Sequence, residues 1–359
     1  MNQEIELSHE DSLRLNVLFS QNINAIRINE SSMVLHALLE EREISIPLNP
    51  NCAESKYLKQ VREFLSFQVL GSPAGYPVFL KRWTRMGQTR DTNLSELLKL
   101  GESEAVVSVT HAPGLTMELA QYAWWCHQSV ENARQMLQQP KVANSKFAKE
   151  LSDFLIEFLP FEEVGKNIID TVCLLLKNDL VDEKTKLSLW KKGKRKSTYY
   201  LGFVSSIPDK LPEADLSQPH NELMQYEIKL ASLKNNVYAQ QIIRLCSQRG
   251  QHFIQTNERI LSNFSDQDSI IALINSLQEY LNPISYEAAE SNKDIEQFKQ
   301  SVTDPSLLKM LNAITELSKL EESVLNDILS RTNAVGSVLR RKMEPITQPI
   351  LEHFQTFKS

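Results

Sequence analysis

The sequence predicts a mainly α-helical protein: a multi-helix array, HEAT-like or irregular, with a small β hairpin or meander near its start and a helical bundle at its end. Three observations carry that expectation. Glycine and proline number only 10 and 14 in 359 residues, and these are the residues helices tolerate least. Apolar side chains recur at steps of three and four through most of the chain, the period of a helix buried on one face. Period-two alternation is concentrated between about residues 25 and 48, which predicts one short run of strands.

Taken in order, residues 8–22 predict a helix capped by Ser8 with Asp11 three residues on, and with Leu13, Val17 and Leu18 at helical spacing. Ile26 and Ile28, then Val34 and His36, then Ile44 and Ile46 alternate with their neighbours, with turns expected at 29–32 and near 40–41. Pro47 and Pro50 end the strands, and Leu58, Val61, Leu65 and Val69 then share one helical face.

The stretch GSPAGYPVFLKRWTRMGQTR at 71–90 departs from this texture. Pro73, Gly75 and Pro77 predict a double bend, after which Val78, Leu80 and Trp83 turn toward a core and the basic groups outward, with Gly87 as a left-handed cap. A phosphate cradle needs converging backbone N–H groups, and the two prolines remove two of them.

Further along, Thr116 caps a helix over MELAQYAWWCHQ, and Pro140 closes another segment. Phe147, Leu151, Phe154, Leu155 and Phe158 form a stripe that stops at Pro160. Ile168, Ile169, Val172, Leu175 and Leu176 repeat the pattern, and Asp182 caps a helix leading to Trp190. The three prolines of 206–222 mark a linker, giving an N-terminal element (1–50), a helical-hairpin domain (51–205) and a C-terminal bundle (223–359). In the last, Leu223, Tyr226, Leu230, Leu233 and Val237 follow a heptad pattern. Ser265 with Asp268, and Asp304 with Pro305, announce two more helices, the second carrying Leu307, Leu311, Ile314 and Leu317.

A formal charge of −6 argues against a surface that coats nucleic acid wholesale. The first residues lack a secretory pattern, and no apolar run reaches the roughly 18–20 residues of a membrane span, so a cytoplasmic location is expected. Cys52, Cys126, Cys173 and Cys246 are far apart in sequence and form no metal-binding pair, and no metal or other cofactor is expected.

The motifs of nucleophile elbows, phosphate loops, zincins and dinucleotide folds are missing, so the chain does not read as an enzyme. The pairs Glu162–Glu163 and Asp182–Glu183 stand at helix starts, where the dipole accounts for them. Cys126 and His127 diverge by about 100° on a helix, giving Cys126 a packing role and His127 a surface one. The rings of Trp124 and Trp125 diverge in the same way, so one is expected in the core while the other meets the next helix or a partner, which makes the pair a candidate partner surface if a ring is exposed.

Three basic clusters stand out: Lys81, Arg82, Arg85 and Arg90; Lys191, Lys192, Lys194, Arg195 and Lys196, followed by Tyr199 and Tyr200; and Arg340, Arg341 and Lys342. Cations complement a helix C-terminus. A basic loop beside aromatics also suits phosphates and unpaired bases, which makes RNA a second candidate partner.

The segments HEDSLRLNVLF, LGSPAGYPVFLKRWTRMGQ (70–88), APGLTMELAQYAWW (112–125), NARQML (132–137) and FLIEFLPFEE (154–163), followed by the KKGKRK region, resemble the DsrS family. That family is associated with the dissimilatory sulfite reductase gene cluster of sulfur-oxidising bacteria. The resemblance covers roughly the first 200 residues and brings no catalytic residue with it. It implies a cytoplasmic, non-enzymatic accessory or regulatory protein linked to intracellular sulfur oxidation, acting on a protein partner. The alternatives are an RNA-binding post-transcriptional regulator using the three clusters, and a sulfur carrier or redox protein using an activated cysteine. Homo-oligomerisation, if it occurs, is expected through the C-terminal helices.

Overall fold

The computed structural model describes residues 7–40, 42–72, 94–285 and 288–358. It is mainly α, 67% helical, with 19 helices among the described residues and a small three-stranded antiparallel sheet near the N-terminus. The chain divides into two compact units, Met1–Phe158 and Leu159–Ser359.

In the first unit, α1 (His9–Phe19) begins where Ser8 Oγ accepts the Asp11 N–H at 3.3 Å. Its buried face is Asp11, Leu15 and Leu18; Leu13 and Val17, expected inside, are exposed. The mixed spacing of that helix allowed either face. Strands β1 (Ala25–Asn29), β2 (Val34–Leu38) and β3 (Glu43–Pro47) then form the meander, in the order β1-β2-β3. Ile26 aligns with Ala37 and Ile44, and Ile28 with Leu35 and Ile46, on the face that joins Leu15, Leu18 and Val61 in the core. The phase of β2 therefore corrects the alternation expected from Val34 and His36. VLHAL is apolar in both phases, and its neighbours decide which one is buried.

Helix α2 (Glu54–Leu70) adds Tyr57, Leu58, Val61, Phe64 and Leu65 to this core and ends at Gly71, whose φ of 67° is the left-handed cap. The double bend, Gly87 and the cluster Lys81, Arg82, Arg85 and Arg90 lie outside the described residues. After them come α3 (Leu94–Leu97), α4 (Ser103–His111), α5 (Met117–Cys126), α6 (Val130–Leu137), α7 (Pro140–Ala143) and α8 (Phe147–Phe158). Thr116 caps α5 as expected, accepting the Leu119 N–H at 3.2 Å. Pro140 opens α7 rather than merely closing its predecessor, because a first-turn N–H has no partner to lose.

The second unit contains α9 (Gly165–Lys177), α10 (Glu183–Lys192) and α11 (Thr198–Val204). Asp182 Oδ1 accepts the Thr185 N–H at 2.8 Å and starts α10 as expected. All seven residues of α11 are buried, the signature of a helix surrounded by others. It packs on α9, on α14 (Gln248–Asn263) and on α15 (Gln267–Ser285). Gly202 permits this, since a Cβ there would stand 2.5 Å from Val172 Cβ.

Residues 206–222, expected as a linker, lie inside this unit. Short 3-10 turns at Pro208–Lys210 and Ala214–Leu216 pack on α14, and Leu211, Ser217 and His220 are buried. Prolines fix φ, so they shape a packed turn as readily as a tether. The heptad expectation is corrected too. The chain forms α12 (Leu223–Lys229), a 3-10 turn at Ala231–Leu233, and then α13 (Val237–Cys246). Asn236 breaks the run, accepting the N–H groups of Tyr238 and Ala239 at 3.1 and 3.2 Å and starting a new helix.

Asp266 rather than Ser265 caps α15, its Oδ1 accepting the Ser269 N–H at 2.8 Å. The remaining helices are α16 (Ala288–Ser301), α17 (Pro305–Leu317), α18 (Ser323–Leu329) and α19 (Gly336–Gln355). Asp304 caps α17, and Leu307, Leu311, Ile314 and Leu317 are all buried, as expected.

Candidate anion-binding site

The KKGKRK cluster sits where α10 ends and turns into α11. Lys191 and Lys192 occupy the last turn of α10, where they complement the negative end of its dipole. The turn is tight because Gly193 lies flat against Tyr200; a Cβ at that position would approach Tyr200 Cδ1 to 2.4 Å. Lys191, Lys194 and Arg195 are exposed. Lys196 folds back and donates to the Glu162 carbonyl at 3.1 Å, and Lys192 stands 5.8 Å from the centre of the Tyr199 ring.

The two tyrosines do not serve as a stacking platform. Tyr199 and Tyr200 are 4% and 3% exposed, because they open the fully buried α11. Tyr200 meets Trp190 edge-on at 4.5 Å, and Trp190 continues onto Phe203 at 5.1 Å. The sequence places aromatics beside the basic loop, and packing then takes their faces away from any base.

Behind the loop opens a pocket of about 500 Å³, lined by Gly193, Lys194, Arg195, Ser197, Tyr200, Glu213, Leu216, Arg259 and Asn263. Three of these are cations and one is a carboxylate. Glu213 is already engaged, its Oε2 accepting the Trp190 indole N–H at 3.1 Å, and it holds φ at +61°, a left-handed conformation that costs a non-glycine residue about 1 kcal/mol. No ion pair joins Lys194, Arg195 or Arg259 to a carboxylate among the described residues. The Tyr200 hydroxyl is buried without a hydrogen bond. Burial raises its pKa, and the neighbouring Arg259 guanidinium opposes that rise without the geometry of a formed bond. A buried donor left without a partner costs about 1–3 kcal/mol.

No motif or spacing marks Arg259 as part of this site, which it enters from a helix remote in sequence. It is reached from α14, with Ser197 Oγ donating to the Asn263 carbonyl at 3.2 Å at the end of that helix. The third basic cluster arrives at the same turn. Arg340, in the first turns of α19, donates to the Phe264 carbonyl at 2.8 Å, and the Gly336 N–H donates to the Ser265 carbonyl at 2.7 Å. Lys342 donates to Thr332 Oγ1 at 2.7 Å, while Arg341 is exposed. Clusters two and three, remote in sequence, thus converge on residues 263–265.

The two tryptophans have different surroundings. Trp124 is buried, its indole N–H donating to Glu150 at 2.8 Å and its edge meeting Phe154 at 4.9 Å. Trp125 is half-buried on the outer face of the sheet, where Arg27 covers its ring at 4.5 Å and its N–H donates to Glu43 Oε2 at 3.1 Å. Glu43 also pairs with Arg27 at 3.1 Å and faces His36 Nδ1 at 2.9 Å. Burial works to raise the Glu43 carboxyl, but the Trp125 N–H and the Arg27 guanidinium hold it below its usual range.

Three of the four thiols are held in their protonated form. Burial pushes Cys126 and Cys246 up to about 12 and Cys173 upward, so none of these three is thiolate near neutrality. Cys126 plays the packing role expected, its Sγ donating to the Ile26 carbonyl at 3.5 Å. Among the described residues no group of histidine, cysteine and carboxylate side chains could hold a metal ion, and no helix is long and apolar enough to cross a membrane. Comparison of the chain with protein-family models, with curated proteins and with solved structures finds no match to any of them.

Proposed function

We propose that the chain is a non-enzymatic accessory or regulatory protein, linked to intracellular sulfur oxidation in the way its resemblance to the DsrS family implies, and that it acts by binding a protein with an acidic docking surface. The observation that carries this reading is the meeting of two basic clusters at the turn 263–265 in a chain whose formal charge is −6. Lys191, Lys194, Arg195, Arg341 and Lys342, in the segments that meet there, are exposed, and basic side chains of this kind would steer an acidic partner and fix its register. Affinity purification of the tagged protein from native cells tests it. A protein partner should be captured, released by added salt as screening requires, and lost with the double substitution Lys191→Glu and Arg341→Glu. Capture unchanged by both salt and substitution would sink the reading.

The same convergence favours RNA as the second reading. With Tyr199 and Tyr200 buried, RNA would be held by its phosphates alone, with a steep salt dependence and little sequence preference. Absence of retardation of single-stranded RNA at low salt removes that reading. A sulfur carrier draws least support, because burial raises three of the four thiols.

A further inference from the structure

The pocket behind the basic loop has a chemistry more specific than the surface patch around it. Its cations come from two separate segments: Lys194 and Arg195 from the loop after α10, and Arg259 from α14. Lysine and arginine only donate hydrogen bonds, so the group that fits among them is rich in acceptors and negatively charged. The Tyr200 hydroxyl adds a further donor, 97% buried as a residue and without a partner. An arginine fork matches a tetrahedral oxyanion at two points, which a lysine cannot do.

The rest of the lining describes the body attached to that anion. Asn263 spends its amide nitrogen on the Arg259 carbonyl at 3.0 Å, leaving its oxygen to accept. Glu213 spends Oε2 on Trp190, leaving Oε1. Two acceptors in a donor-rich pocket suit hydroxyl groups. Leu216, 78% exposed, supplies the one apolar wall, and no aromatic face is available for a base, since the tyrosine rings are packed inside. A volume of about 500 Å³ exceeds what a bare phosphate fills and falls within the range of small-molecule sites.

We propose that this pocket binds a hydroxylated phosphomonoester of the sugar-phosphate class, its phosphate between Arg259 and Arg195 with the Tyr200 hydroxyl as a third donor, and its hydroxyls on Asn263 and Glu213. The proposal goes beyond the binding role given above and does not depend on it.

Calorimetric titration of the full chain at low salt, with ribose 5-phosphate, ribose and inorganic phosphate as probes, tests it. Ribose 5-phosphate should bind saturably, inorganic phosphate more weakly and ribose not at all. Arg259→Gln should weaken ribose 5-phosphate about tenfold or more, the loss of a charge-assisted pair of bonds. Tyr200→Phe should weaken it several-fold without lowering the thermal transition of the unliganded protein. Non-saturable heats, or an Arg259→Gln variant that binds as the parent does, would overturn the assignment. A 5′-phosphorylated oligonucleotide that binds more tightly than ribose 5-phosphate would move the phosphate to the end of a nucleic acid and overturn the small-molecule source. Partner capture is read on Lys191 and Arg341, and ligand binding on Arg259 and Tyr200, so each reading can fail while the other stands.

Discussion

Each unit gathers charge and aromatic rings, and the two do so to opposite effect. On the outer sheet face of the first unit, Arg27 covers Trp125, pairs with Glu43 and donates to the Trp125 carbonyl at 3.4 Å. Glu43 in turn accepts from the Trp125 indole and faces His36. Every charge there has a local answer. In the second unit, Lys194, Arg195 and Arg259 line a pocket and form no ion pair with a carboxylate among the described residues, above a tyrosine hydroxyl that makes no hydrogen bond there. A closed network maintains a fold, whereas an open one is able to accept something from outside.

The sharpest way to break the contrast is Trp190→Ala. Trp190 is wholly buried, packs on Tyr200 and Phe203, and holds Glu213. Its loss should cost about 3–5 kcal/mol and dissolve the pocket wall, seen as a lower denaturant midpoint together with loss of ligand binding. Next comes Asp209→Ala. Asp209 makes a two-point pair with Arg244 at 3.0 and 2.6 Å, and Arg244 also lies over Tyr280 at 3.7 Å. Leaving that half-buried cation unanswered should cost about 1–3 kcal/mol in chemical denaturation, yet leave the pocket's affinity unchanged, which separates closed networks from the open one inside the same unit. Asp182→Ala, which removes the α10 cap, should cost about 1 kcal/mol and loosen the loop it leads to.

Tyr200→Phe should have the smallest effect on stability and the opposite sign. Deleting an orphaned hydroxyl removes a desolvation cost, so the unliganded protein should gain up to about 1 kcal/mol in the melt. A clear loss would mean that the hydroxyl already has its partner. The gentlest handle is pH. Burial lowers the pKa values of His220 and His252, and His252 Nε2 lies 2.9 Å from the Pro212 carbonyl while its Nδ1 lies 2.9 Å from Ser217 Oγ. Both rings are neutral in the fold, so their stabilising contribution is complete above the ordinary histidine value of about 6.5 and is lost as pH falls through the lowered values. A pH series of melts should show a decline on the acid side of that value.

Much of the fold was legible because its signals are local. Ser8, Thr116, Asp182 and Asp304 each cap the helix they announce, through a bond to an N–H two or three residues on. The meander was legible for the same reason. Where two local patterns competed, tertiary contacts decided: the doubly apolar β2 took the phase its neighbours imposed, and the heptad from Leu223 was cut by the stronger cap at Asn236. The site was half legible. KKGKRK announces positive charge, but the burial of Tyr199 and Tyr200, the contribution of Arg259 and the arrival of Arg340 all depend on contacts between remote segments, which no spacing encodes.

The burial of α11 has one more consequence. Its seven residues lie in the middle of the second unit, so its amides should exchange with solvent only when much of that unit opens. Tyr200 belongs to this helix and also lines the pocket, which makes the pocket's floor part of the slowest-exchanging segment rather than of a mobile rim. A ligand held there would shift the opening equilibrium of the whole unit by mass action, so that occupancy should be readable as deuterium retention at residues 198–204.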